Sequence, residues 1–146
     1  MPTEKVVFTK NAMANVLIIE LLNVFLKSST LHIDTSPIWL KDLLTAMSTP
    51  LSMRLGMDYM LSNISYDRSY ICRTFKKYIG CTMTEYLRDK RIEYAATLLL
   101  TSDKTVAQIC EAIGIESIPY FTNSFKNKYS LSPKQFKVKF KVTNQH

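Results

Sequence analysis

Glycine is scarce, with three in 146 residues. A mostly β protein needs more turn glycines, so helices are favoured before any pattern is read. Cysteine is as sparse: Cys72, Cys81 and Cys110 are odd in number and form no C-x-x-C pair. That argues against a disulfide framework and fits a reducing cytosol. The two histidines, His32 and His146, stand far from each other and from any cysteine pair, so no ligand spacing supports a zinc site. There is no phosphate-cradling glycine loop, nucleophile elbow or His-Glu metal helix, and no catalytic residue, metal or cofactor is expected. A long apolar run is also missing. The stretch Val16–Leu26 is too short to span a bilayer and is interrupted by Glu20 and Asn23. Lys27-Ser-Ser-Thr30 is a poor signal-cleavage site, and no membrane partner is expected.

What the chain does have is 47% apolar and 21% charged residues, the balance of a packed globular protein. Its length suits one compact domain or two very small ones. The formal charge is +7, which points to anionic partners without choosing between nucleic acid and membrane surface. The charge is unevenly placed. Five basic and five acidic residues cancel over residues 1–65, whereas residues 66–146 hold fourteen basic against seven acidic. The N-terminal apolar stretch predicts a helix from about Thr9 to Lys27, apolar around much of its circumference. Such a helix must be covered, either by ordinary packing on this chain or by a second copy in a homodimer.

Helix signals then follow one another. Ser36-Pro37 reads as an N-cap with proline at the first helical position, opening a helix through Trp39, Leu40, Leu43, Leu44 and Met47 that stops at Pro50. Beyond Gly56, the residues Met57, Met60, Leu61 and Ile64 repeat at i, i+3, i+4, i+7. Asp67 caps a helix to about Ile79, stopped at Gly80. Thr82-Met-Thr-Glu85 is a capping box that opens a long helix to about Leu100, with Leu87, Ile92, Ala95, Leu98 and Leu99 inward. Thr105-Val-Ala-Gln108 is a second box, on a helix ending at Gly114, a left-handed stop. Ser117 caps a further helix to about Tyr129, and Ser132-Pro-Lys-Gln135 opens a short terminal one.

Within this series lies an internal repeat. Met57, Met60, Leu61, Ile64 and Tyr66 match Val106, Ile109, Cys110, Ile113 and Ile115 at an offset of 49. Tyr70, Phe75 and Lys76 match Tyr120, Phe125 and Lys126 at an offset of 50. Each copy reads as a short helix, a three-to-four-residue turn and a longer helix, which is the helix-turn-helix unit used twice. Gly114 supplies the turn residue of the second copy and Ser65 stands there in the first.

The second helix of each unit carries a polar face opposite its apolar one. Ile71, Phe75 and Tyr78 are expected inward, while Ser69, Cys72, Arg73 and Lys76 share another face. In the second copy Phe121 and Phe125 turn inward, with Pro119, Thr122, Asn123 and Lys126 outward. A major groove admits one α-helix whose outer side chains reach base edges. Arg73 suits guanine and Asn123 adenine; Ser69 and Thr122 discriminate less. Ile118 and Tyr120 suit a thymine methyl or the sugar. Arg68, Lys76, Lys77, Lys126 and Lys128 suit phosphates, which position without reading sequence. The alternative, that these are merely solvated faces, is outweighed by two matching copies inside the only net-positive region. The long helix between them would run roughly 27 Å at ~1.5 Å per residue. That is of the order of the ~34 Å between successive major-groove faces.

Tyr70-Ile-Cys-Arg-Thr-Phe-Lys-Lys-Tyr-Ile-Gly80, Thr84-Glu-Tyr-Leu87 and Arg91-Ile-Glu-Tyr-Ala-Ala-Thr-Leu-Leu99 resemble the AraC/XylS family of bacterial transcription regulators. So do Val106-x-x-Ile109, Gly114, Tyr120-Phe121, Phe125-Lys126 and Ser132-Pro133. The resemblance covers about residues 38–141. It implies an all-α fold: two helix-turn-helix units, about 57–79 and 105–129, bridged by a linker helix at about 83–100. It places base-reading positions at Ser69, Cys72 and Arg73 in the first unit, and at Ile118, Pro119, Tyr120, Thr122 and Asn123 in the second. Ser130 stands where a glycine is frequent. The expected organisation is an N-terminal helix and connector over 1–35, a DNA-binding domain over 36–141 and a tail over 142–146. The Ser36-Pro-Ile-Trp-Leu40 lead-in is similar to regulators that carry a sugar-sensing cupin, including the chitobiose type. No such sensor fits in residues 1–35, so the chain is read as a C-terminal piece of a longer regulator or as a stand-alone factor.

The expected function is sequence-specific binding to double-stranded DNA at a promoter or operator, in the cytoplasm at the nucleoid, with RNA polymerase as a further partner. Two rivals differ in kind. A helical protein-interaction module would use the same faces on the transcription machinery, and would show a shallow salt dependence. An enzyme carrying this module, such as a DNA-repair alkyltransferase, would need an activated cysteine in its own catalytic domain.

Overall fold

The computed structural model describes residues 35–141. The expected helix over Thr9–Lys27, and any dimer contact through it, lie outside the described residues. Within them the regular structure is all helical. In chain order the elements are α1 (Ile38–Met47), α2 (Pro50–Leu55), α3 (Met57–Leu61), α4 (Arg68–Ile79), α5 (Met83–Thr101), α6 (Val106–Ile113), α7 (Ile118–Tyr129) and α8 (Pro133–Lys141).

Most helix starts follow from local chemistry. The first backbone N–H groups of a helix lack partners, and a preceding side-chain oxygen supplies one. The Asp67 carboxylate accepts from Ser69 N at 2.9 Å and Tyr70 N at 3.3 Å. Thr82 and Glu85 form a reciprocal capping box, as do Thr105 with Gln108 and Ser132 with Gln135. Ser117 Oγ accepts from Tyr120 N at 3.3 Å. The ends match as well: Gly80 (φ +86°) and Gly114 (φ +72°) stop α4 and α6 in the left-handed conformation. Ser130 adopts the same conformation at φ 58° after α7, so a serine occupies backbone that favours glycine.

Several local expectations fail. The cap position of α1 falls on Pro37, not Ser36, and no side chain caps it. Pro50 does not end structure but begins it. It is the first residue of α2, whose cap Thr49 accepts from Ser52 N at 3.4 Å; a proline lacking its N–H loses nothing there. The first unit also departs from the second. Helix α3 ends at Leu61, leaving Ile64 in a six-residue connection (62–67) where the second unit uses four (114–117). Among the described residues Ser130 is the one non-glycine with positive φ, so Ser65 does not play the part of Gly114. Without a glycine to reverse the chain, Ser62 N closes a tight turn onto Tyr59 O. Tyr66 is 54% exposed and stacks with Trp39 and Tyr70, at 5.8 and 5.2 Å between ring centroids. Its counterpart Ile115 is buried.

Two hydrophobic cores result, and α5 serves both. Met83 and Leu87 join Leu40, Leu43, Met47, Met53, Met60, Ile71 and Phe75 in the first. Ile92, Ala95, Ala96 and Leu99 join Ile109, Cys110, Ile113, Ile115, Phe121 and Phe125 in the second. Tyr94 packs against both. Of the inward set expected on this helix, Leu98 is only half-buried, while Met83 and Ala96 are buried in addition. Tyr78, expected inward on α4, is half-buried. Each buried Leu, Ile, Met or Phe contributes about 1.5–3 kcal/mol of apolar transfer, so each unit carries its own core.

Candidate nucleic-acid interface

The second helices of the two units, α4 and α7, are held from beneath by phenylalanines. Phe75 in α4, and Phe121 and Phe125 in α7, are fully buried. Phe75 meets Tyr86 of the linker edge-on at 5.6 Å, and Phe125 meets Phe136 of α8 edge-on at 5.3 Å. With one face so anchored, the 3.6-residue period turns the polar stripe outward.

On α4, Ser69, Cys72, Arg73, Lys76 and Lys77 are all exposed. Arg68, Cys72, Arg73 and Lys76 line a groove of about 430 Å³ with Met57 and the Thr82–Thr84 start of α5. No acidic side chain lines it. Arg73 and Lys76 have no ion pair among the described residues, whereas Arg68 is held by Asp58 at 3.1 Å. On α7, Ile118, Pro119, Tyr120, Asn123 and Lys126 are exposed, and Thr122 is half-buried. Lys126 has no ion pair among the described residues. Lys128 is engaged with Glu93 of α5 at 2.8 Å, an acid that also accepts from Lys90 at 2.9 Å. Ile118 borders a groove of about 510 Å³ that Glu111 and Glu116 also line. The electrostatic surroundings of the two helices therefore differ: the groove beside α4 is lined by Arg68, Arg73 and Lys76 with no acid, whereas the groove at the start of α7 is lined by Glu111 and Glu116 with Arg54, which pairs with Glu111 at 3.6 Å.

Ionisation fits this division. Burial works to raise the Glu93 carboxyl, but the bonds from Lys128 and Lys90 outweigh it and hold it below its ordinary value. Desolvation, with Glu85 and Asp89 nearby, pushes the Cys81 thiol up; desolvation alone does so for Cys110. Neither environment favours a thiolate.

Sequence reasoning missed one polar group of consequence, Arg91. Half-buried on α5, it donates from Nε and Nη2 to the Met53 carbonyl at 3.0 and 2.5 Å. Its signal was available: position 91 lies four residues from both Leu87 and Ala95, on the buried stripe, and a charge there needs an acceptor. Burial draws the guanidinium below its ordinary value and Tyr120 of α7 opposes that.

Relatives place this arrangement. A family model described as a helix-turn-helix domain matches residues 61–139. The probable transcription factor PqrA of Proteus vulgaris is 29% identical over 72% of this chain and 88% of its own. The bifunctional transcriptional activator/DNA repair enzyme AdaA of Bacillus subtilis is 34% identical over 56% of this chain, but over only 39% of its own length. Among solved structures, the DNA-binding domain of AdpA, crystallised with a target DNA, superposes at a TM-score of 0.63 with 18% identity, over 72% of this chain and 98% of that one. The chain belongs to the helix-turn-helix family of AraC/XylS-type transcription regulators, whose members bind DNA sequence-specifically. No helix among the described residues is long and apolar enough to cross a membrane.

Proposed function

We propose that the chain grips one flank of duplex DNA, placing α4 and α7 in adjacent major-groove segments to regulate transcription from a promoter. Ser69, Cys72 and Arg73 read bases from the first helix; Ile118, Pro119, Tyr120, Thr122 and Asn123 do so from the second. Lys76, Lys77 and Lys126 hold phosphates. Arg68 and Lys128 add less, because Asp58 and Glu93 already engage them. The observation that carries this reading is the exposure of both polar stripes above buried phenylalanines, with Lys76 and Lys126, which form no ion pair among the described residues, toward their far ends. The basic groove beside α4 makes the first unit the stronger phosphate anchor. The chain acts by binding DNA, and the surroundings of Cys81 and Cys110 do not favour the thiolate that a cysteine-based transfer chemistry would need. RNA polymerase and a second copy of the chain are the further partners proposed.

The test is selection of bound sequences from a random DNA pool, followed by affinity against salt. Each neutralised phosphate contributes about −0.9 to the slope of log K against log salt. A recovered motif with a slope near −3 or steeper supports the reading. No enriched sequence, with a nearly flat slope, overturns it in favour of a protein-interaction module.

A further inference from the structure

The linker helix is not the only connection between the two units. Helix α2 belongs to the first core through Met53, yet its C-terminal end abuts the second unit. A Cβ placed on Gly114, at the end of α6, would stand 2.7 Å from Met53 O and 2.8 Å from Arg54 O. Arg54 reaches Glu111 of α6 at 3.6 Å. Arg91 projects from α5 where the linker passes from one core to the other, and its guanidinium takes the same Met53 carbonyl. That carbonyl is one of the last four of α2, which no residue of the helix can satisfy. A cation is also favoured at a helix C-terminus. One backbone oxygen is thus clamped between the linker's arginine and the second unit's glycine.

From this geometry we propose that Arg91 is a positioning residue: by locking α2 against α5 and α6, it fixes the separation of α4 and α7, and so the spacing of the DNA segments the chain accepts. The inference rests on the DNA-reading function above. Two binding elements joined by a flexible tether tolerate varied spacing, whereas a stiff joint matched to one span fails when the span changes. One added base pair moves the second segment by ~3.4 Å and turns it by about 34° around the duplex. A body with two connections cannot follow that turn without breaking one of them.

The experiment uses the full chain and the DNA sequence recovered by selection, with one base pair inserted or removed between the segments read by the two units. The wild type is expected to lose affinity roughly tenfold or more for either change, on the scale of a lost specific contact. Arg91→Met keeps the aliphatic stem but donates nothing, and is expected to shrink that penalty at least threefold with the salt slope unchanged. Arg91→Lys, which keeps the charge but offers a single donor nitrogen in place of the two that Arg91 uses, is expected to fall between and serves if the methionine variant does not fold. A wild type that tolerates the insertion with less than a twofold loss overturns the inference without any variant. So does a folded Arg91→Met protein with the wild-type penalty. Absence of any DNA preference would instead strike the proposed function.

Discussion

Replacing Gly114 by alanine measures how tightly the second unit is seated on α2. Two costs combine. At φ +72° a side chain occupies left-handed backbone, worth about 1 kcal/mol against glycine. The new Cβ would also stand 2.7 and 2.8 Å from two carbonyl oxygens of α2. These are backbone atoms, so no rotamer change relieves the clash, and overpacking of this kind costs about 1–3 kcal/mol. The sum is about 2–4 kcal/mol, which at ~3–4 °C per kcal/mol for a chain of this length lowers the melting midpoint by at least about 6 °C. Gly80 supplies the control. Its φ is +86°, but a Cβ there meets nothing within 4 Å. Gly80→Ala should cost only the conformational ~1 kcal/mol, or about 3–4 °C. Thermal melts of both variants by far-ultraviolet circular dichroism, checked by urea titration, separate the two costs. Equal losses at the two positions would refute the close approach of α2 to Gly114.

Ser130→Gly is the inverse case. Relieving φ 58° after α7 should raise stability by about 1 kcal/mol, seen as a higher melting midpoint. Arg73→Ala should cost about 1–3 kcal/mol on the selected DNA and relax the preference at one base pair, whereas Lys76→Ala should weaken all sequences alike and reduce the salt slope by about 1; quantitative binding assays on selected and random duplexes distinguish them. The Glu93 carboxyl lies below its ordinary 4.5 in the fold. Its contribution is therefore fully present above that value and is lost as pH falls through the lower folded one. Its exposure keeps the effect under about 1 kcal/mol. Glu93→Gln should accordingly flatten the acid limb of the urea-midpoint profile and leave neutral-pH differences small.

Much of the candidate interface could be read from the chain because its signals are short-range. Asp67, Thr82, Thr105, Ser117 and Ser132 each bond a backbone group two or three residues on, and such pairs sit together in the sequence as they do in space. Gly80 and Gly114 mark left-handed stops for the same reason. The stripes of α4 and α7 emerged because a 3.6-residue period separates Ile71 and Phe75 from Arg73, and Phe121 and Phe125 from Asn123. Symmetry between the copies was over-read. The matching apolar spacing around Met57–Ile64 does not carry α3 past Leu61, because Ser65 does not reverse the chain as Gly114 does.

Helix α2 was hidden for a different reason. Pro50 is compatible with both an end and a beginning, and only the fold decides which, through Thr49 and the burial of Ser52 and Met53. Arg91 and Met53 are 38 residues apart, and no periodicity links them. Helix starts, helix ends and the outward faces come from chemistry within one or two turns of chain, so residue order alone establishes them. How the two units are held against each other depends on a carbonyl, a guanidinium and an absent methyl group meeting across three helices. That meeting exists only once both cores have closed around α5.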